Sequence, residues 1–581
     1  MAGEPHTEPD FDDLPNDEKL FALAKRRGDE RTPLLNAEHI ITAARMLKKE
    51  PDRYATLLNR LAGWVALGDF KRRVQKKRAE ADANLKKKQA EALAEERLDD
   101  ARRRGMPFIA EGKPTVVARD FVTQVMPNLV RVAGEFLEYH ENAYRSLSRD
   151  TVRSTVQAWM ASGVNAETGE ACYPNKTDLD HVMNMLEGEV HRDEYKTRPP
   201  TWFDYWEGID PEPTMCISAR NGILDVKTGM LLPPSPRFFT RNGVTFDYTP
   251  DAPEPEQWLK FLESIWPGES GRANHRALQE IMGHLLTGDS KYQKVFMLLG
   301  PPRAGKGTIT RIITQLVGED NVAEQSAHDL GERFGLSNLL GKQVLIVPDL
   351  RLDKSSRTGK IMELLLNISG GDRVGVDRKF KDYETERLNT RIVIATNKEL
   401  MLPDQSGAFN ARLVPLVFHK SFVGREDKTL DAKLAAELPS IFNWALEGLR
   451  RLEARRDEHG FHAGFALTPD GKESIREVSR HSAPIKAFLE EWCDVAPGCI
   501  VDKRVLYDTF DAWCDEHNVR TYYVLDSFAK DIRVASGYTV ESGRATVDGK
   551  YTRVFMGISL KDGADALTRE TAEIRSAVDD F

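Results

Sequence analysis

The sequence contains little cysteine for its length. Its 581 residues include five cysteines, which is an odd number. They are widely scattered, and none of them forms a CxxC pair. Zinc sites and redox motifs need paired thiols at short spacing, so we expect reduced thiols here. The five residues are Cys172, Cys216, Cys493, Cys499 and Cys514.

Long apolar runs are also missing. No stretch approaches the eighteen or so apolar residues that span a bilayer, and the first 17 residues are acidic, without the basic-then-apolar order of a secretory signal. We therefore expect a cytoplasmic protein with no membrane partner.

The chain lacks an excess of positive charge. Its net charge of −9 means that any nucleic-acid surface must be a local patch. The length exceeds what one core organises, so we expect several domains. The predicted segments are a disordered tail (1–36), a helical region (37–106), an α+β domain (107–267), an α/β domain (268–452), a linker (453–481), helices followed by a β-hairpin in the order of a winged helix (482–562), and a tail (563–581).

One charged segment needs separate interpretation. Residues 70–104 consist mainly of Ala, Lys, Arg and Glu and contain no Gly or Pro, which predicts one long solvated helix. A charged spacer or coiled-coil arm is favoured over direct contact with nucleic acid.

The clearest chemical signal is a glycine-rich loop between an apolar strand at 295–299 and a helical pattern at 309–317. Backbone N–H groups of such a loop wrap nucleotide phosphates, the helix N-terminus favours negative charge, and the lysine bridges the β- and γ-phosphates of ATP. The predicted ATP-binding residues are Gly300, Pro301, Pro302, Arg303, Ala304, Gly305, Lys306, Gly307 and Thr308.

The loop departs from the usual pattern at one position. Ser or Thr normally follows the lysine, whereas here Gly307 stands there and Thr308 comes next. We expect Thr308 to bind Mg²⁺ directly or through water. The same loop also suits a small nucleotide kinase, so it identifies a nucleotide and not a reaction.

Three polar residues next to later strands extend the predicted site. Asp349 ends the apolar run 344–347, where it would hold Mg²⁺ or its water, although a strand-ending Asp is often only a turn residue. Asn397 ends the strand at 391–395 and would sense the γ-phosphate. Arg412 precedes another apolar strand and would stabilise transition-state charge in trans, the alternative being a surface ion pair.

The order of these segments resembles the phage/plasmid and poxvirus-type primase-helicases, a branch of the superfamily 3 helicases within the AAA+ class. The resemblance runs from about residue 107 to 560. It rests on the phosphate loop, the acidic strand at 344–349, the Gly-Gly-Asp segment at 370–381 and Ile394-Ala-Thr-Asn397, and also on Ala219-Arg-Asn-Gly-Ile-Leu-Asp, Trp258-Leu-Lys-Phe-Leu and Leu278–Gly288 ahead of the motor.

This resemblance implies a fold and a mechanism. The fold would be α/β: an AAA+ P-loop NTPase core, an α+β N-terminal domain and a C-terminal winged helix. The chain would form a hexameric ring that hydrolyses ATP with Mg²⁺ at subunit interfaces and draws one DNA strand through its pore. Lys306, Asp349 and Asn397 would be catalytic, and Arg412 would reach a neighbour's site.

The resemblance also implies contacts to DNA. The cluster Arg378, Lys379, Phe380 and Lys381 matches the family's pore hairpin, where cations meet phosphates and Phe380 stacks on a base, although an exposed basic hairpin is the alternative. In the winged helix, the aromatic residues at helical spacing are expected to form the core. The exposed residues Lys503, Arg504, Arg520, Lys530 and Arg533 would grip duplex DNA.

Primer synthesis is not expected from this chain alone. That chemistry needs clustered carboxylates for two metal ions, and the central candidate, Asp178-Leu-Asp180, is better explained as the start of a helix. We expect a priming partner on another polypeptide, and single-stranded and forked DNA as substrates. Two alternatives stay open: an ATP-binding replication initiator or loader with weak hydrolysis, and a small nucleotide kinase.

Overall fold

The structure is a computed structural model that describes residues 37–61, 67–194, 196–350, 356–377, 384–397, 408–519, 523–547 and 549–561. The two predicted tails lie outside these residues, and so do Arg378, Lys379, Phe380 and Lys381 of the predicted pore hairpin. In the described part of the chain, no helix is both long and apolar enough to cross a bilayer. The five cysteines are free, as expected.

The architecture is mixed α/β. Its helices are α1 (Ala37–Lys49), α2 (Pro51–Leu61), α3 (Leu67–Arg103), α4 (Pro114–Gln124), α5 (Arg149–Ala161), α6 (Lys176–Glu189), α7 (Glu256–Ile265), α8 (Gly268–Leu285), α9 (Lys306–Val317), α10 (Ala327–Gly331), α11 (Ser356–Gly370), α12 (Leu430–Ala436), α13 (Leu438–Ala454), α14 (Pro469–Ser482), α15 (Pro484–Trp492), α16 (Lys503–Glu516) and α17 (Leu525–Ala535).

Most strands are short. They are β1 (Phe108–Ile109), β2 (Leu129–Val132), β3 (Glu135–His140), β4 (Ala143–Leu147), β5 (Val164–Asn165), β6 (His191–Arg192), β7 (Thr201–Trp202), β8 (Cys216–Ala219), β9 (Gly222–Asp225), β10 (Leu231–Leu232), β11 (Phe238–Phe239), β12 (Val295–Leu299), β13 (Val322–Glu324), β14 (Val344–Pro348), β15 (Arg373–Val376), β16 (Glu384–Arg387), β17 (Arg391–Thr396), β18 (Leu413–Val417), β19 (Cys493–Asp494), β20 (Ile500–Asp502), β21 (Glu541–Val547), β22 (Lys550–Met556) and β23 (Ser559–Leu560).

The chain divides into two compact units, Met1–Pro127 with Ser148–His191, and Asn128–Leu147 with Arg192–Phe581. In the first unit, the 37-residue helix α3 lies where the sequence predicts a charged helix, and at 1.5 Å per residue it is about 55 Å long. Near its start, Phe70 and Val74 are buried against α1 and α2. Most of its remaining length is exposed, because charged residues surround the helix on all sides.

The Asp178-Leu-Asp180 motif is structural, as predicted. Asn175 caps α6 in a capping box with Asp178, whose backbone N–H donates to Asn175 Oδ1 at 3.0 Å. Asp180 accepts from Arg153 Nη1 at 2.5 Å. One carboxylate therefore starts the helix and the other pairs with a cation, and neither is left for a metal pair.

The hairpin β8–β9 turns at Arg220 and Asn221, because Ala219 pairs with Gly222. Residue 222 must be a glycine, since a Cβ there would lie 2.4 Å from the Leu232 carbonyl oxygen of β10. Close approach of a neighbouring strand, and not turn geometry, explains this glycine.

A five-stranded parallel sheet organises the second unit, in the order β13-β14-β17-β12-β18. Along β12, Phe296 and Leu298 pack into one hydrophobic cluster with α8, α9 and α13, while Val295, Met297 and Leu299 pack into another with α10 and α11. Helices cover both faces of the sheet, which explains why its strands are continuous apolar runs in the sequence.

Helices α8 and α13 pack closely beside this sheet. A Cβ at Gly283 would lie 2.3 Å from the Ala445 carbonyl oxygen, so the glycine permits the contact. Glu280 on α8 is 1% exposed and accepts from Arg451 Nε at 3.0 Å and Arg455 Nη2 at 2.6 Å. Burying this carboxylate is tolerable because both arginines pair with it.

The C-terminal part consists of helices followed by the hairpin β21–β22, the predicted order of elements. Phe488, Phe510, Trp513 and Phe528 are fully buried in one cluster with Phe555. The prediction that these helical aromatics form a core is confirmed.

Candidate nucleotide site

Three neighbouring strands of the parallel sheet, β12, β14 and β17, end at the same edge, because they run in the same direction. The glycine-rich loop of residues 300–308 follows β12, Asp349 follows β14, and Asn397 follows β17. We call this the loop edge. Ligands of α/β sheets bind outside the carboxyl ends of the strands, so the fold places these residues where a ligand would bind.

The conformation of the loop requires its glycines. A Cβ at Gly300 would lie 2.4 Å from the Phe418 carbonyl oxygen, and Gly305 has φ +98 directly before α9. Arg303 also has a positive φ, +58, which is uncommon for a residue with a side chain. Such backbone strain concentrates at functional sites.

The loop leaves a set of backbone donors unused. The N–H groups of residues 303–307 donate to no acceptor within the described part of the chain. They lead into the N-terminus of α9, where the helix dipole favours negative charge. A row of free amides at a helix N-terminus fits phosphate oxygens, so this part of the site suits a nucleoside triphosphate.

Lys306 is held inside the loop by neutral acceptors. Its Nζ donates to the Gly300 and Pro301 carbonyl oxygens at 2.5 and 2.7 Å, and to Asn397 Oδ1 at 2.8 Å. Burial lowers the pKa of Lys306 below its ordinary value, and the Asp349 carboxylate opposes that shift. The structure therefore brings Lys306, Asn397 and Asp349 together.

Asp349 and Thr308 are the two candidate protein ligands for Mg²⁺. Asp349 is exposed at the loop edge with φ +54, and its backbone N–H donates to the Ala395 oxygen at 2.6 Å. Thr308 Oγ1 accepts from Arg311 Nη2 at 3.3 Å. Among the described residues, no group of three or more His, Cys, Asp or Glu side chains is arranged to hold a metal ion. One carboxylate and a hydroxyl suit Mg²⁺, which completes its shell with phosphates and water.

Arg412 lies at the opposite edge of the sheet. It precedes β18, whose register pairs Leu413 with Val295, so about one strand length separates it from the loop. Its guanidinium donates to the Leu366 carbonyl oxygen and to Ser369 Oγ, the latter at 2.9 Å, near the C-terminus of α11. Within its own chain, Arg412 does not reach the phosphate loop.

The sequence did not indicate which residues support the loop. The segment after β18 does so: Phe418 N–H donates to Leu299 O at 2.7 Å, Phe422 N–H donates to Arg303 O at 3.0 Å, and Ser421 Oγ donates to Pro302 O at 2.9 Å. These contacts join residues more than a hundred positions apart, and no local pattern marks them.

Two parts of the chain match known families. Residues 298–412 match a family of unknown function (DUF5906), and residues 210–267 match the family described as D5 N terminal like. The first match covers the loop edge. The second lies directly ahead of the parallel sheet, over part of the segment on which the resemblance to primase-helicases rests.

Solved structures show a distant likeness. The apo structure of the NrS-1 C terminal region (305-718) is 11% identical with a TM-score of 0.43, covering 77% of this chain and all of that chain. The A form apo structure of the NrS-1 C terminal region-CTR is also 11% identical with a TM-score of 0.43, covering 76% and 99%. At these values the likeness assigns no activity.

Proposed function

We propose that this chain is an ATP-dependent DNA helicase of a phage or plasmid replication module, with its ATPase site at the loop edge. The observation that carries the proposal is the loop itself: unused amides at a helix N-terminus beside Lys306, Asp349 and Asn397. These groups match the needs of a triphosphate, which has several anionic oxygens and a reacting γ-phosphoryl group.

The proposed roles follow from position. Lys306 would exchange its carbonyl acceptors for β- and γ-phosphate oxygens, and Asn397, already bonded to it, would orient the attacking water. Thr308 and Asp349 would hold Mg²⁺, which when bound neutralises charge between the two phosphates. Thr308 must then release Arg311, whose guanidinium also pairs with Asp431 at 2.9 Å.

The motor assignment goes further and is also a proposal. A superfamily 3 motor of the AAA+ class, with a winged helix at 482–562, is supported by the parallel sheet around the loop, the D5 N terminal like match ahead of it and the helices-then-hairpin order after it. The assembly would be a homo-oligomer, a hexamer by resemblance, acting on single-stranded and forked DNA with a separate primase.

The decisive experiment measures ATP hydrolysis by the purified full chain with and without single-stranded DNA, alongside a mass measurement in solution. We expect hydrolysis that DNA stimulates, together with concentration-dependent oligomers. Phosphate transfer to a nucleoside monophosphate without DNA would instead identify a small nucleotide kinase.

Arg412 gives a sharper test of the ring. An arginine supplied by a neighbour is worth about 10³- to 10⁵-fold in rate, so Arg412→Ala should lose at least that much hydrolysis as a pure protein. Lys306→Ala should lose about 10²- to 10³-fold. In mixed oligomers, an intact Lys306 from one variant meets an intact Arg412 from the other at about a quarter of the interfaces. Mixing should therefore restore hydrolysis. If mixing restores no hydrolysis, Arg412 acts only by hydrogen-bonding to the C-terminus of α11 in its own chain.

A second function has one specific observation in its favour. Only one carboxylate, Asp349, follows β14 within the described residues, although helicases commonly have two adjacent acids there. An ATP-binding initiator or loader needs less activation of water. It would bind ATP with Lys306-dependent affinity and turn over no faster when DNA is present.

A further inference from the structure

Two arginines face each other on the C-terminal hairpin. In the antiparallel pairing of β21 with β22, Arg544 lies directly opposite Arg553, and both side chains are exposed. No carboxylate of the described residues, which do not include Asp548, forms an ion pair with either of them. Like charges at directly opposed positions destabilise a strand pair, so this arrangement favours an external anion.

A lysine from a neighbouring helix adds to the same face. Side chains alternate along β22, so Tyr551, Arg553 and Phe555 share one face. Lys503, the first residue of α16, places its Nζ 5.0 Å from the centre of the Phe555 ring. Burial and the nearby Arg553 lower the pKa of Lys503, while Asp526 opposes that shift.

An aromatic side chain completes this surface near the tip of the hairpin. Tyr551 lies opposite Thr546 and is 73% exposed. On its strand it is the next residue after Arg553, toward the turn, that points to the same face. An exposed ring beside cations is the combination that binds unpaired nucleic acid, where phosphates meet the cations and a base stacks on the ring. A base inside a duplex is already stacked and is closed to such contact.

We propose that the hairpin face, formed by Lys503, Arg544, Tyr551 and Arg553, binds single-stranded nucleic acid independently of the nucleotide site. Lys503 is also part of the duplex grip predicted from the sequence. The proposed face differs from that grip because Arg544, Tyr551 and Arg553 lie on the hairpin. The choice of a polynucleotide as the anion rests on the proposed function, but the binding itself needs neither ATP nor Lys306.

The test measures binding of a fluorescent oligothymidylate to the full chain without nucleotide, over a series of salt concentrations. Arg544→Glu with Arg553→Glu should weaken binding at least tenfold and lower the slope of log affinity against log salt by about 1.4, or roughly 0.7 for each lost phosphate contact. Arg544→Lys with Arg553→Lys should retain most of the affinity. ATP hydrolysis without DNA should be unchanged in the Glu variant.

The matched control reverses two cations elsewhere. Lys86→Glu with Lys88→Glu on α3 changes the net charge by the same amount and should leave the affinity near that of the parent. An equal loss in this control would mean that net charge and not the hairpin face governs binding, and would overturn the proposal. So would unchanged affinity and salt slope in the Arg544→Glu, Arg553→Glu variant.

The tyrosine has its own test. Tyr551→Ala should weaken binding to the oligothymidylate roughly fivefold or more, while Tyr551→Phe, which keeps the ring, should not. On a blunt duplex of equal length the alanine variant should lose much less. Equal affinity of parent and alanine variant for the single strand would contradict the stacking contact. Because no ATP is present, a failure of the proposed ATPase would leave these results unaffected.

Discussion

The two edges of the parallel sheet use their cations differently. At the loop edge, the amides of residues 303–307 stay unused within the described chain, and Lys306 contacts only neutral acceptors. At the opposite edge, Arg391 donates to the carbonyls of Leu285, Thr287 and Asn389, and Arg412 to the end of α11. Within one chain, the loop edge keeps donors for a ligand, whereas the cations of the opposite edge hydrogen-bond to the fold.

The role of a basic residue beside a strand depends on the edge of the sheet at which it lies. Lys294 immediately precedes β12, and Lys306 lies in the loop that follows this strand. One lysine is therefore found at each end of the same strand. Lys294 Nζ donates to the Ala411 carbonyl at 2.7 Å, and burial together with Arg412 lowers its pKa. The edge of the sheet, and not the residue type, separates the two roles.

In the comparison of the two edges, Lys306 should give the strongest effect. Lys306→Ala removes the ammonium group that donates to the Gly300 and Pro301 carbonyl oxygens of the loop. It should lower the rate of ATP hydrolysis about 10²- to 10³-fold, the usual cost of losing one donor to developing charge. Steady-state phosphate release measures it, and circular dichroism checks the fold.

Lys294→Ala is the matched control at the other edge. It should hydrolyse ATP within a few-fold of the parent, because Lys294 hydrogen-bonds to the Ala411 backbone carbonyl, at the edge of the sheet opposite the loop. Similar losses in both lysine variants would remove the distinction between the two edges.

The next effect is on stability. Arg391 is 5% exposed, and burial lowers its pKa to about 10. Arg391→Met keeps the volume but removes its hydrogen bonds, so the free energy of unfolding should fall by about 2 kcal/mol. Urea unfolding followed by tryptophan fluorescence measures it. A variant as stable as the parent would mean that the cost of burying the charge cancels its bonds.

The last effect depends on pH and is close to zero at neutral pH. His284 is buried among Tyr292, Phe296 and Phe465, and burial, with Arg391 nearby, lowers its pKa to about 3. Because the folded pKa is below the ordinary 6.5, stability is full above pH 6.5 and is lost as the pH falls toward 3. Relative to His284→Phe, the parent should lose up to about 1.4 kcal/mol per pH unit in that range.

An exposed histidine provides the comparison for this profile. His459→Phe should follow the parent at every pH, since the His459 side chain is 71% exposed. Thermal unfolding of the three proteins between pH 7 and pH 5 separates them. If the parent and His284→Phe profiles run parallel, the buried ring does not resist protonation.

The sequence predicts the loop edge because its signals are local. An apolar run, a glycine-rich turn and a helix place Lys306, and apolar runs ending in Asp349 and Asn397 place those residues at the same edge of a parallel sheet. The roles of Arg412 and of residues 418–422 depend on partners 43 to 119 positions away, which no local pattern indicates. The Arg544–Arg553 pair needs the register of a hairpin, which the sequence leaves open.

The loop amides of residues 303–307 are kept for phosphate oxygens in this interpretation of the site. Amide hydrogen exchange of the full chain, with and without Mg²⁺ and a non-hydrolysable ATP analogue, tests whether they bind phosphate. We predict slower exchange at residues 303–307 in the parent, little change in Lys306→Ala, and none around the buried Arg391. Unchanged exchange at 303–307 under saturating analogue would mean that these amides bind no phosphate.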